Sequence, residues 1–231
     1  MRISIIIPTL NEETNIERLL RFLCKHPAND QYEVIVVDGG SSDHTVEAAS
    51  KYPVKMVETQ TASRAFQMNR GAEQASGEVL YFVHADVQLP ESFVADIEAS
   101  LRDGFDAGCY RFRFIDKPSI LLHINDFFTR FPFKWCRGGD QTLFITKELF
   151  ENVGGFHEDY VIMEDYDMLD RIFKQASFKV LPKSVGVSSR KYRNNGYLKV
   201  QLANLKAMRM YKKGKAPVDI KNYYRKALNN H

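Results

Sequence analysis

The chain has 231 residues, 44% of them hydrophobic and 26% charged, with a formal net charge of +3. This is an ordinary globular mix with enough length for one sizeable core, and no Pro/Ser/Gly-rich linker, low-complexity tract or internal repeat divides it. There is no apolar run of about 18 residues to cross a membrane, and the opening MRISIIIPTLNEE is too short in its apolar part for a secretion signal.

In chain order, residues 3–8 form a continuous apolar run that predicts a buried strand. A helix follows, with Ile16, Leu19, Leu20 and Leu23 on one face. Residues 34–37 predict a second strand ending at Asp38, then a helix over 43–52 capped by Ser41, Ser42 or Asp43. Residues 54–57 predict a third strand and 63–75 a helix. Residues 79–83 predict a fourth strand and 91–101 another helix. Strands buried on both faces and alternating with helices imply a mainly parallel sheet covered on each side. Ligands of such sheets sit beyond the carboxyl ends of the strands, where this chain clusters its polar residues.

Past Asp103 the pattern changes. Residues 107–114 alternate, with Tyr110, Phe112 and Phe114 on one face and Cys109, Arg111 and Arg113 on the other, which suits a half-exposed, antiparallel strand. Further elements are expected as a helix over 118–131, a strand over 142–145, a helix over 166–176 and a short strand over 178–181. A basic helix over 197–213 closes the chain, followed by a tail. From Arg190 onward Lys and Arg far outnumber the acids, Asp219 being the sole carboxylate side chain there. Such a segment suits phosphates, anionic lipid or an acidic acceptor. Its Leu198, Leu202, Leu205 and Met208 fall near one face. Packing of that face on the main domain is the expected reading, with an anionic membrane surface as the alternative. Cys24, Cys109 and Cys136 are odd in number, widely spaced and form no C-x-x-C pair, as expected of reduced thiols in the cytoplasm.

Three constellations carry chemistry. The first joins Pro8, Thr9, Asn11 and Glu12 to the run from Asp38 through Gly39 and Gly40 to Asp43. An acid at a strand end can accept hydrogen bonds from a base or ribose, and adjacent glycines let the backbone approach a flat ligand; a capped loop would use the same residues. The second is His84-Ala85-Asp86. An Asp with one further ligand can hold Mg²⁺ or Mn²⁺ against a diphosphate, or can simply be a turn acid before Pro90. The third is Glu164-Asp165, expected just before a helix, where the helix end would keep a carboxylate ionised as a general base or as a cap. G-x-G-x-x-G and P-loop patterns are both missing from the sequence.

In this order the three constellations resemble the family 2 glycosyltransferases of the GT-A fold. The shared pattern is a strand leading to P-x-x-N-E, a strand leading to V-V-D-x-x-S-x-D, a D-x-D-type motif and a downstream E-D. Within the family the chain is similar to a short soluble subgroup connected with arsenosugar biosynthesis. That likeness rests on residues 64–69, 82–86, Gly139-Asp140-Gln141 and Gly154-Gly155-Phe156 ahead of Met163-Glu164-Asp165.

The resemblance implies a GT-A domain over 1–189, with a nucleotide-binding half (1–104) and an acceptor and sugar half (105–189), followed by a basic helical extension over 190–231. It implies that Pro8, Thr9, Asn11, Glu12, Asp38, Gly40, Arg64, Gln67, Asn69, His84 and Ala85 line the nucleotide pocket. Asp86 would be the metal ligand, with His84 in the place of the first D of the motif. Asp165 would be the base, with Glu164 its partner. Gly138, Gly139, Asp140 and Gln141 would shape the sugar and acceptor side, where Trp135 could stack on a sugar ring. Arg190 and Arg193, with Lys191 between them, would close over the phosphates as a flexible clamp.

The expected reaction is inverting transfer from a UDP- or GDP-linked sugar, assisted by Mn²⁺ or Mg²⁺. The acceptor would be a small molecule, a glycan or a polyprenyl phosphate, and the place of action the cytoplasm, at the inner face of a membrane if the basic helix rests there. No nucleic-acid partner is expected. Two other classes compete. A nucleotidyltransferase would need a Gly/Lys/Arg-rich loop where this chain has PTLNEE. A non-catalytic nucleotide-sugar or lipid-surface binding module would have no use for Glu164 and Asp165.

Overall fold

The computed structural model describes residues 1–116, 120–131 and 142–228. In chain order the elements are β1 (Ile3–Thr9), α1 (Glu13–Lys25), β2 (Tyr32–Asp38), α2 (Thr45–Ser50), β3 (Lys55–Glu58), α3 (Arg64–Glu73), β4 (Val79–Phe82) and α4 (Phe93–Arg102). There follow β5 (Ala107–Phe114), α5 (Ile120–Phe128), β6 (Leu143–Thr146), α6 (Lys147–Asn152), α7 (Glu164–Gln175), β7 (Phe178–Val187), α8 (Arg190–Asn195), α9 (Tyr197–Lys212) and α10 (Pro217–Ala227). The described strands form one seven-stranded sheet in the order β3-β2-β1-β4-β6-β5-β7. β6 runs antiparallel to both neighbours, β4 and β5, while every other pairing is parallel. This is the expected mainly parallel α/β sheet, with helices on both faces.

Strand alternation sorts the core into two layers. Ile3, Ile5, Ile7, Val34, Val36, Val79 and Tyr81 point to one face and pack with Ile16, Leu20, Leu23, Ala48, Phe93 and Ile97 of α1, α2 and α4. Ile6, Ile35, Val37, Leu80 and Phe82 point to the other, against Ala65 and Met68 of α3, Leu149 and Phe150 of α6, and Met168 and Ile172 of α7. Each fully buried aliphatic side chain contributes about 1.5–3 kcal/mol and an exposed ion pair about 0–1 kcal/mol, so these layers, rather than surface charge, hold the sheet.

The structure departs from the sequence reading in its second half. β5 is antiparallel to β6 as expected but also parallel to β7, and its first residues, Ala107–Tyr110, are wholly buried. β7 is not a short strand over 178–181. It resumes after Pro182 and Lys183, which bulge out where the register jumps from Tyr110–Leu181 to Arg111–Ser184. Proline cannot donate to the ladder, so a bulge is where a strand tolerates it. The segment from Arg190 is helix α8 rather than a flexible loop, and the tail contains α10, opened by Pro217 at its first position.

The leucines of α9 are a further correction. Leu198, Leu202 and Leu205 are 71%, 64% and 45% exposed, so they do not pack on the main domain. The inward face of α9 is built instead from Val200, Ala203 and Ala207, whose small side chains let the helix approach Ile220, Tyr224 and Leu228. Met163, the residue before α7, completes this third core, with Tyr160, Ile162 and Tyr166 against it. Tyr211 also donates from its hydroxyl to Asp170 of α7 at 2.9 Å. No helix among the described residues is long and apolar enough to cross a membrane.

Candidate active site

Because β1, β2, β4, β5 and β7 share one direction, their carboxyl ends open on one edge of the sheet. At the ends of β1 and β2 two loops are knitted together. The buried Asp38 carboxylate accepts from Gly40 N at 2.9 Å, Ser41 N at 2.8 Å, Ser41 Oγ at 2.5 Å and Thr9 Oγ1 at 3.2 Å. Gly40 takes φ +91°, which a glycine adopts without strain. Asn11, at φ 54°, accepts on Oδ1 from Ser42 N at 2.8 Å, while its own N–H donates to Ser41 Oγ at 2.9 Å. Glu12 N–H donates to Thr45 Oγ1 at 2.8 Å. Pro8 is buried within β1, and Ala85 within the first core layer.

The α3 residues divide. Arg64, at the start of the helix, reaches Glu164 at 3.5 Å. Gln67 is buried, and its amide donates to Thr9 O and Val37 O, each at 2.8 Å, bracing the ends of β1 and β2 from below. Asn69 does not border this edge. Its amide donates to Phe156 O at 2.8 Å and Glu158 Oε1 at 3.0 Å and accepts from Phe156 N at 2.9 Å, on the wall of a separate cavity of about 430 Å³ that Gly154 and Gly155 also line. Two positions on a helix differ by about 200°, so Gln67 and Asn69 face opposite ways.

After β4 the chain turns tightly, Val87 N–H donating to His84 O at 3.1 Å, so His84 opens a turn of which Asp86 is the third residue. Arg18 donates to the Asp86 carbonyl at 3.2 Å. A two-way backbone bridge between Gln88 and Gly186, at 2.8 and 2.9 Å, ties this loop to the end of β7. A Cβ on Gly186 would stand 2.7 Å from Ile115 Cγ2, so this approach needs a glycine.

From β7 the chain enters α8, whose cations face the acids of the edge. Arg190 bonds Glu12 Oε1 at 2.9 Å, and that hydrogen bond raises its hold on its proton against the cost of partial burial, with Asp86 and Asp116 adding their charges. Arg193 lies 3.7 Å from Asp116, which also accepts from Ser188 Oγ at 2.8 Å. Asp116 and Arg18 were missed in the sequence reading. The strand-end rule that found Asp38 and Asp86 would have found Asp116, since it follows β5.

Glu164 and Asp165 lie inside the first turn of α7 rather than before it. Met163 caps the helix at φ 77°, a left-handed conformation uncommon for its type. The expectation that a helix end keeps the acid ionised fails for Glu164. Burial pushes its carboxyl above the usual range, outweighing the pull of Arg64 and Lys191. Asp165 is half-buried. Asp167, the last acid of that first turn, anchors the helix: it lies 2.6 Å from Arg171 and 3.0 Å from His157, and Arg171 donates to Val153 O and Gly155 O. Trp135, Gly138, Gly139, Asp140 and Gln141 lie outside the described residues.

The described residues contain no group of three or more His, Cys, Asp and Glu arranged to hold a metal by themselves. One carboxylate with one imidazole, at Asp86 and His84, is nevertheless the donor set of a cation that takes its other ligands from substrate phosphates and water. The residues present therefore fit a divalent ion carried with a diphosphate.

The family model for glycosyl transferase family 2 matches residues 4–165. The chain belongs to that family. The match reaches from β1 to Asp165, and so spans the 9–13 and 38–45 loops, the His84–Asp86 turn and the α7 acids. A relative from Pyrococcus furiosus, named a dolichol-phosphate mannosyltransferase, is 36% identical over 111 residues, which is 46% of this chain and 32% of that protein. A mannosyltransferase from Pyrobaculum calidifontis, solved with GDP-Man and Mn²⁺, superposes with a TM-score of 0.67 at 21% identity, covering 97% of this chain and 68% of that one. S. aureus TarS 1–349 in complex with UDP superposes with a TM-score of 0.66 at 19% identity, covering 81% of this chain and 60% of that one. At these identities the superpositions establish a shared glycosyltransferase fold.

Proposed function

We propose that this chain transfers a sugar from a UDP- or GDP-linked donor to an acceptor hydroxyl, with inversion, by direct displacement. The supporting observation is the meeting of three features along one sheet edge: the knitted 9–13 and 38–45 loops, the His84–Asp86 turn and the first turn of α7. The solved neighbours carry UDP or GDP-Man, which supports a nucleotide-sugar donor.

In this reading Thr9, Asn11, Glu12 and Gly40 border the base and ribose, and Asp38 and Gln67 hold that border in shape. Asp165 takes the proton of the acceptor hydroxyl as its oxygen bonds to the anomeric carbon. The bond from that carbon to the β-phosphate oxygen breaks, and the nucleoside diphosphate leaves with the electron pair. Arg190, released from its pair with Glu12, and Arg64, now paired with Glu164, would balance the charge on the departing diphosphate, with Arg193, paired with Asp116, behind them. His84 and Asp86 would hold the Mn²⁺ or Mg²⁺, which supplies positive charge beside the diphosphate. Glu164, buried against Arg64, orients that arginine and leaves the base role to its more accessible neighbour. Residues 1–104 would then serve the donor and 105–189 the acceptor. The relatives named above do not bear on the narrower arsenosugar-type resemblance.

Thermal-shift measurement against UDP-, GDP-, dTDP- and CMP-sugars, with and without Mn²⁺, is the direct test. Stabilisation by UDP- or GDP-sugars, enhanced by Mn²⁺, is expected; indifference to all four would overturn the reading. Asp165→Asn should then abolish transfer while keeping nucleotide affinity within about threefold, since it removes a proton acceptor and little volume. Unimpaired turnover in that variant would remove Asp165 from the base role.

A further inference from the structure

We propose that the outward face of α9 docks the protein on an anionic lipid surface. α9 is amphipathic in the reverse of the usual sense. Its inward face carries Val200, Ala203 and Ala207, while Leu198, Leu202 and Leu205 stand on the side turned to solvent. At spacings of four and three residues these leucines form one stripe. A helix that needed only to pack on its own domain would turn its leucines inward.

Cations flank the stripe. Lys199 and Lys206 are seven residues apart and share one side of it, and Arg209 continues it by one turn. Lys206 rests its ammonium 4.3 Å from the Tyr223 ring centroid. α5 is the neighbouring helix. It is joined to the first turn of α9 by the Tyr197 hydroxyl, which donates to Asn125 Oδ1 at 3.1 Å, and it exposes Leu121, Ile124 and Phe127.

Charge selects the occupant. Residues 190–231 hold twelve Lys and Arg against one carboxylate, a formal +11, so residues 1–189 carry a formal −8 of the net +3. A second copy meeting this face through a twofold axis would set like charge against like. A neutral apolar partner would leave the cations unmatched. An anionic bilayer satisfies both, with leucines at the acyl boundary and ammonium groups among the phosphates. Gly196 alone separates α9 from α8, whose Arg190 reaches Glu12, so docking would bring the sheet edge close to the headgroups. The proposal rests on α9 itself and not on the transferase reading.

The test is co-sedimentation of the full chain with vesicles of phosphatidylcholine alone and with about 30% phosphatidylglycerol. Binding is expected to the anionic vesicles and to weaken as NaCl rises from about 0.1 to 0.5 M. The triple variant Leu198→Ser, Leu202→Ser, Leu205→Ser should bind at least about tenfold more weakly while keeping its melting temperature, because the three side chains are already exposed. Lys199→Glu with Arg209→Glu should lose the anionic preference by another route. No binding to anionic vesicles, or undiminished binding by the triple variant, would overturn the proposal. So would a wild-type dimer that the triple variant converts to monomer in sedimentation equilibrium, since the face would then be an interface between copies. Thermal shifts with nucleotide sugars, read without vesicles, report on the transferase reading separately.

Discussion

Burial separates two adjacent carboxylates at the start of α7. Glu164 is 3% exposed and faces Arg64 across 3.5 Å, while Asp165 in the same turn is half-buried. The sequence places both at a helix end and says nothing of which is desolvated, which is why the ionisation expected there fails at Glu164. The consequence for stability has a definite sign. A carboxyl whose folded pKa is raised binds its proton more tightly in the folded state, so stability falls as pH rises above the unfolded value of about 4.3. Glu164→Gln removes this dependence. Its melting temperature should match the wild type below about pH 4, exceed it as pH rises towards the raised folded pKa, and hold a constant margin once the carboxyl is ionised in both states. Calorimetry across that range checks it, and parallel curves would show that Arg64 fully offsets the burial. Gln67 and Asn69, two residues apart on α3, have separate partners: Thr9 and Val37 for the first, Phe156 and Glu158 for the second. The sequence reading put both at the pocket because it followed a motif, whereas a helix turns them to opposite faces.

Among the elements, β1, β2 and β4 were legible because strands buried on both faces leave continuous apolar runs that stop at a polar residue. β7 was not, because Pro182 and Lys183 interrupt a run that the bulge in fact carries through. α8 escaped because six residues give too little periodicity to see. The C-terminal helices matter to the acids of α7 through packing. Met163 holds a left-handed turn among Val200, Ala203, Ala207, Ile220 and Tyr224, and Glu164 follows it directly. Strain of this kind persists only where surrounding contacts hold it. Ile220→Ala should destabilise this third core by about 2–4 kcal/mol. Hydrogen exchange should rise at Met163–Asp165 and across α9 and α10 while β1, β2 and β4 stay protected; uniform change across the chain would refute the coupling.

At the scale of the whole molecule, charge is polarised, with a basic extension lying on an acidic body. The pairs that join them at Arg190–Glu12 and Arg193–Asp116 are half-exposed on their basic side, and such pairs are screened by salt. Raising ionic strength from about 0.05 to 0.5 M should therefore speed proteolysis within residues 188–197 and leave the sheet unaffected. Unchanged cleavage rates would assign the docking of the extension to its apolar core alone. The sign of the tail was plain in the sequence. The direction its leucines face was not, because periodicity identifies a stripe without saying which stripe meets the core.

The left-handed turn at Met163 also bears on how such a chain can be recombined. The family match ends at Asp165, two residues beyond that turn, yet the side chains that pin the turn come from 200–228. A chimaera cut at the family boundary would carry its acids into a foreign setting. The natural unit of exchange is instead the block from Tyr160 to Leu228, taken whole, against a donor-side block that ends before it.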